Sequence, residues 1–193
     1  MWRRSAAPRR GRCLVAREVS NGVGCPQPLR LVVDRRIDAE ELRRFAGLVV
    51  RGPGADDCAI WVGPIGADSY GRFWVRRGGG ERIMLRANRY ALAAARDGVA
   101  LQPWVRALHG WNNPACVRVS RPGETGLLHV VGGSQRDNML MMAGARRGGG
   151  RAAIRTRGAG VAARRARAVA VRCGWDADAV AAALLGSAEA ILW

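Results

Sequence analysis

The chain has 193 residues, of which 49% are hydrophobic, enough for one globular domain with tails, and it carries 32 basic against 15 acidic side chains for a formal net charge of +17. All the basic residues are arginine; the Arg-, Ala-, Gly- and Val-rich composition is that of GC-rich coding, but the excess over acids favours a polyanionic partner, nucleic acid before an anionic membrane surface. No apolar run has the length of a membrane span or follows the twin arginines Arg3 and Arg4 as an export signal would require, so a cytoplasmic location without membrane contact is expected.

Residues 1–33 read as a basic, disordered arm, the first thirty holding seven arginines and one glutamate without periodicity. A first helix is predicted over 38–50, capped by Asp38, with Glu40 and Glu41 in its first turn and Leu42, Phe45, Leu48 and Val49 on one face. Glycine and proline at 51–57 break it. Strands follow at 59–62 and 72–75, joined by a loop rich in glycine and aspartate; a glycine turn at 78–80 precedes a strand at 82–85 and a helix at 88–96. Trp61, Trp74 and Trp104 are read as packing residues.

The stretch 108–138 holds both histidines, a cysteine and several turn formers. It reads as a strand ending at His109, a polar loop through Asn112, Asn113 and Pro114, a second strand at 127–131 around His129, and a helix opened by Ser134 with Asp137 three residues on, an acidic capping box. Met139, Met141 and Met142 are expected in the core. Strand, loop, strand and helix in so few residues bury little, so a metal or a larger scaffold should brace the unit.

From 139 to 175 there are nine arginines and no acid, with a glycine hinge at 148–150. Helices are predicted at 162–173 and 177–185, separated by Gly174 and Asp176, a helical hairpin similar to a helix-turn-helix module. Arg146, Arg147, Arg151, Arg164 and Arg165 are candidate phosphate contacts. The domains would be the arm at 1–33, a core at 34–151 and a basic linker with helices at 152–193. Five cysteines, Cys13, Cys25, Cys58, Cys116 and Cys173, are an odd set with irregular spacing, so they are expected to stay reduced.

His109, Cys116, His129 and Asn138, with NP before the cysteine and SQRDNM after the second strand, resemble the ββα-metal (His-Me finger) nucleases of the HNH superfamily, phage and actinobacterial members and His-Cys box homing endonucleases above all. Residues 58–73, CAIWVGPIGADSYGRF, resemble the leading hairpin of that family, and 86–93, RANRYALA, its arginine-bearing helix. The resemblance covers roughly 34–151 and implies an α+β fold: a ββα-metal core with leading β-hairpins, a basic N-terminal arm and a C-terminal helical hairpin. It implies a divalent cation, magnesium, on Asn138, with His109 as general base. Arg89 would be the arginine at the cleaved phosphate and Arg86 a further DNA contact.

It also implies a structural zinc on Cys58, Cys116 and His129, whose fourth family ligand, a cysteine, is replaced here by Trp111. An exposed Trp111 could instead stack on a base. Asn113 stands where an aspartate is common and Asn88 where many members have histidine. The implied activity is hydrolysis of phosphodiester bonds in double-stranded DNA, in a phage-derived or mobile-element-associated endonuclease, and a homodimer is among the expectations. Two other readings are carried: a DNA-binding protein on the same scaffold that no longer cuts, and a basic RNA-associated protein.

Overall fold

The structure is a computed structural model that describes residues 30–77, 80–109, 113–125, 128–144, 168, 171, 172 and 174–178. It is a mixed α and β domain in which three small antiparallel sheets pack around two helices, with a third helix on the last sheet. The helix predicted at 38–50 is shorter: α1 spans Ala39–Ala46. Gly47 closes it, and the β-branched Val49 and Val50 leave the helix to form β1, Val49–Arg51, paired with β2, Ala59–Trp61.

The strands predicted at 59–62 and 72–75 do not pair with each other. β2 joins β1, while β3, Arg72–Arg77, forms a hairpin with β4, Glu81–Arg86. Tryptophan explains the separation. The Trp61 indole donates from Nε1 to the Pro64 carbonyl at 3.0 Å, folding the chain back after β2, and the loop closes locally through the Ile65–Gly71 bridge. α2, Ala87–Ala94, begins directly after β4 and buries most of its length.

The main core is aromatic at its centre. Phe45 of α1, Trp61 of β2, Phe73 of β3 and Tyr90 of α2 pack with centroids 4.6–5.7 Å apart. Tilted and edge-on contacts of this kind add about 1 kcal/mol per pair beyond burial. Leu31 and Val33 are fully buried in the same core, and Leu31 bridges Leu101, so the domain includes residues before 34. The physical reason is alternation: Leu31 and Val33 point inward while Val32 stays exposed. At the other end, Val171 and Trp175 pack against Cys58, Ile60, Ala115 and Cys116, so part of the C-terminal segment covers the domain rather than standing apart from it.

β5, Arg106–His109, pairs with β6, Val130–Gly133, and α3, Gln135–Gly144, follows and packs on both, which is the strand–strand–helix order read from 108–138. The capping box forms as drawn: the Ser134 amide donates to Asp137 Oδ2 at 2.7 Å and the Asp137 amide to Ser134 Oγ at 3.1 Å. Three tryptophan and methionine expectations change. Trp74, Trp104 and Met139 are 43%, 68% and 57% exposed, because Trp74 lies on the outward side of its hairpin, Trp104 lies in the connection before β5, and Met139 lies on α3 away from the strands β5 and β6 against which that helix packs. No helix among the described residues is long and apolar enough to cross a membrane.

Candidate metal centre and the adjoining histidine

Three separate segments bring Cys58, Cys116 and His129 together. Cys58 immediately precedes β2. Residues 115–119 run beside β2, with the Trp61 amide on the Ala115 carbonyl at 2.8 Å and the Val117 amide on the Ala59 carbonyl at 2.7 Å, which sets Cys116 opposite Ile60. The same segment bonds β6 on its other side through the Val130 amide and Arg118 carbonyl at 2.8 Å, placing His129 against it. Asn113, buried, shapes the turn into this segment: its Oδ1 accepts from the Ala115 amide at 3.1 Å and its carbonyl from the Cys116 amide at 3.0 Å.

All three side chains are buried, and their ligand atoms lie within 4.8 Å of one another. His129 Nδ1 is 3.4 Å from Cys116 Sγ and 3.8 Å from Cys58 Sγ. Nε2 of the same ring meets the Asp56 carbonyl at 3.0 Å and Arg118 Nη1 at 2.7 Å. A ring that donates Nε2–H to the carbonyl keeps its Nδ1 lone pair on the thiol side, the arrangement a metal needs. A ring that accepts from Arg118 instead carries Nδ1–H toward sulfur.

The thiols share a proton unequally. Cys116 is held below the ordinary thiol value first by the neighbouring Cys58 thiol and then by His129, against the opposing effect of burial, while Cys58 is pushed up. Two sulfurs and an imidazole at this spacing could hold a metal ion. Trp111, the expected place of the missing fourth ligand, lies outside the described residues.

His109 ends β5 on the other face of the same turn. Its Nε2 lies 2.9 Å from the Cys116 carbonyl, and a carbonyl only accepts, so Nε2 carries the proton and Nδ1 is the basic nitrogen. Burial lowers its pKa, with the Cys116 carbonyl opposing, which favours the neutral ring. Asn138 closes the first turn of α3, half-buried, its amide on the Ser134 carbonyl at 3.1 Å. Since α3 packs on β5, His109 and Asn138 stand on neighbouring elements.

The two candidate arginines have different surroundings. Arg89 donates from Nη2 to the Gln102 carbonyl at 3.0 Å and from Nη1 to the Val105 carbonyl, so its guanidinium holds the backbone that leads into β5. Arg86 lies over the Tyr70 ring at 4.3 Å, and Tyr70 packs against the His109 ring at 5.8 Å. Asp68 fixes that guanidinium, accepting on Oδ2 from Nη2 at 2.8 Å and from Nε at 3.2 Å, and on Oδ1 from Arg72 at 2.8 Å. In the sequence Asp68 and Tyr70 appear only within the hairpin motif at 58–73, which gives neither of them a place at the site.

Asn88 donates to the Ala107 carbonyl at 3.2 Å and so pins α2 to β5 beside His109. Arg146, Arg147, Arg151, Arg164 and Arg165 lie outside the described residues, as does most of the C-terminal helical hairpin. Comparison of the chain with protein-family models, with curated proteins and with solved structures gave no match.

Proposed function

We propose that this chain is a metal-dependent DNA endonuclease of the HNH, His-Me finger type, in which β5, β6 and α3 form the ββα unit and His109 is the general base. One observation carries the proposal: the Nε2–H of His109 is fixed on the Cys116 carbonyl at the end of β5, and among the described residues no hydrogen bond engages Nδ1, the nitrogen that would take a proton from water. Phosphodiester hydrolysis asks for such a base together with neutralisation of phosphate charge.

Asn138 offers a hard carbonyl oxygen at the start of α3, a donor suited to magnesium, which takes part of its ligand set from phosphate and water. When bound, a divalent cation there supplies charge neutralisation at the scissile phosphate and at the leaving oxygen. Arg86, exposed and held over Tyr70, is the arginine beside His109 that can meet a phosphate, while Arg89 keeps the approach to β5 in place.

For the buried cluster we propose structural zinc. Sulfur and nitrogen bound to one tetrahedral zinc are separated by about 3.6 Å, and the two sulfur–nitrogen distances here are 3.4 and 3.8 Å. A fourth ligand from protein or water would complete the set.

Incubating the purified protein with supercoiled plasmid and with single-stranded DNA, in magnesium or manganese, tests the proposal. Cleavage of either substrate is expected, and His109→Ala should reduce it roughly 10²- to 10⁴-fold with little loss of DNA binding. DNA that is retarded but intact with the unaltered protein would place the chain among non-cutting binders.

A further inference from the structure

The outward face of the β3–β4 hairpin carries cationic and aromatic surface that the candidate site does not use. In its register Arg72 faces Arg86, Trp74 faces Met84 and Arg76 faces Arg82. The inward side chains, Phe73, Val75, Ile83 and Leu85, belong to the core. Solvent therefore meets arginine, tryptophan, arginine on one strand and arginine, methionine, arginine on the other. Trp74 and Met84 remain 43% and 39% exposed at the centre of this square.

The Trp74 backbone and the Trp74 ring each meet an arginine. Arg44 Nη2 donates to the Trp74 carbonyl at 2.6 Å, and the Arg82 guanidinium lies 4.9 Å from the ring centroid. Alternate residues along a strand are about 6.8 Å apart and neighbouring strands about 4.8 Å, so the backbone positions of Arg72, Arg76, Arg82 and Arg86 bracket that of Trp74 at a spacing a sugar–phosphate backbone can follow. Asp68 engages Arg72 and Arg86 at one end of the square, whereas at the other no ion pair among the described residues engages Arg76 or Arg82. Trp74, Arg76 and Arg82 also border a groove of about 520 Å³ that Asp38, Glu40 and Glu41 line from α1; Arg77 pairs with Asp38 and Glu41, and the remaining carboxylate makes the groove a poorer path for an anion than the outward face.

We propose that this face binds single-stranded nucleic acid, with one unstacked base on the Trp74 ring and the flanking phosphates on Arg76 and Arg82. A duplex offers edges and phosphates but no base faces, so it would use the arginines and leave the indole uncovered; an unpaired strand uses both. At its other end the strand passes Arg86, which touches Tyr70, and Tyr70 touches His109. Only this delivery toward His109 rests on the nuclease proposal; the binding does not.

Fluorescence anisotropy of the full chain in EDTA, which separates binding from cleavage, tests it with labelled oligothymidylate, oligouridylate and a duplex. The single strands should bind more tightly than the duplex at equal salt. Trp74→Ala should weaken single-strand binding about tenfold and duplex binding far less, Trp74→Phe should restore most of it, and the Arg76→Ser, Arg82→Ser pair should weaken it more than the control pair Arg35→Ser, Arg36→Ser, which removes equal charge elsewhere. The two single-stranded arms tell DNA from RNA. Preference for duplex, or single-strand affinity unchanged in Trp74→Ala, would overturn the proposal; circular dichroism of each variant excludes loss of fold, since Trp74 lies outside the core.

Discussion

The carbonyl of Cys116 accepts the Nε2–H of His109 at 2.9 Å while the thiol of the same residue lies 3.4 Å from His129 Nδ1. One residue therefore belongs to both the buried cluster and the candidate base, and whatever fixes its sulfur also fixes its carbonyl. Removing a metal from the cluster should loosen His109 without touching it. Cys116→Ala and His129→Ala are expected to purify without bound zinc, to melt at lower temperature by the equivalent of about 3 kcal/mol or more, and to lose cleavage as fully as His109→Ala. Metal analysis and thermal melting in a strong chelator check this. A melting curve indifferent to the chelator and zinc-free wild-type protein would remove the metal from the account.

Arg86 and Arg89 should separate function from stability. Arg89 serves two backbone carbonyls, at Gln102 and Val105, from a half-buried position. Truncating it leaves those acceptors unmet and should destabilise the domain by about 1–3 kcal/mol. Lysine should not rescue it, because a single ammonium cannot span both carbonyls as the planar fork does. Arg86→Ala should cost well under 1 kcal/mol of stability but reduce cleavage strongly. Urea melts beside cleavage rates decide the matter, and the opposite ordering of the two variants would return the phosphate role to Arg89.

Asp68 gives a pH dependence with a definite sign. Burial raises its pKa, but the Tyr70 amide, Arg86 and Arg72 outweigh burial and leave it below the ordinary carboxylate value. A depressed folded-state pKa means stability that is fully present above the unfolded value, about 3.9, and that disappears as pH falls through the folded one. Asp68→Asn should thus be less stable than wild type at neutral pH, by about 1 kcal/mol or less, and the difference should vanish in acid. A gap that persists at low pH would mean that the carboxylate's charge is not what holds the two arginines.

Local signals in the sequence were enough for the order strand, strand, helix and for two of its boundaries, His109 before a glycine and Ser134 with Asp137 three residues on, but not for the second strand, which spans Val130–Gly133 and takes in both glycines expected to close it at 131. The cluster of Cys58, Cys116 and His129 was reachable only through a family resemblance, since the pairing of 115–119 with both β2 and β6 is a long-range fact that no spacing encodes. The same limit explains the loop at 66–71. Nothing around Asp68 or Tyr70 marks them as neighbours of His109, which lies on a different sheet. For Trp74 the reason is simpler: on a two-stranded hairpin with one face on the core, alternation alone decides which side chain is buried, and Phe73 and Val75 take the inward side.

Gly71 tests whether that loop positions Tyr70. A Cβ built there would come within 2.4 Å of the Trp61 ring and 2.8 Å of the Ala87 Cβ. Trp61 is fully buried among aromatic neighbours and its Nε1 is tied to the Pro64 carbonyl, so the ring cannot give way, and Ala87 starts α2 with its amide on the Gly71 carbonyl at 2.9 Å. The loop must therefore move instead, and Tyr70 with it. Gly71→Ala should destabilise the domain by about 1–3 kcal/mol through overpacking and should lower cleavage further than its loss of folded protein explains. Gly47→Ala supplies the contrast: its nearest contacts are at 3.6 Å and its backbone is already helical, with φ −65°, so it should be neutral or slightly stabilising. Equal melting temperatures for the two variants would show that the loop yields around Trp61 at no cost, and Tyr70 would then have no fixed place beside His109.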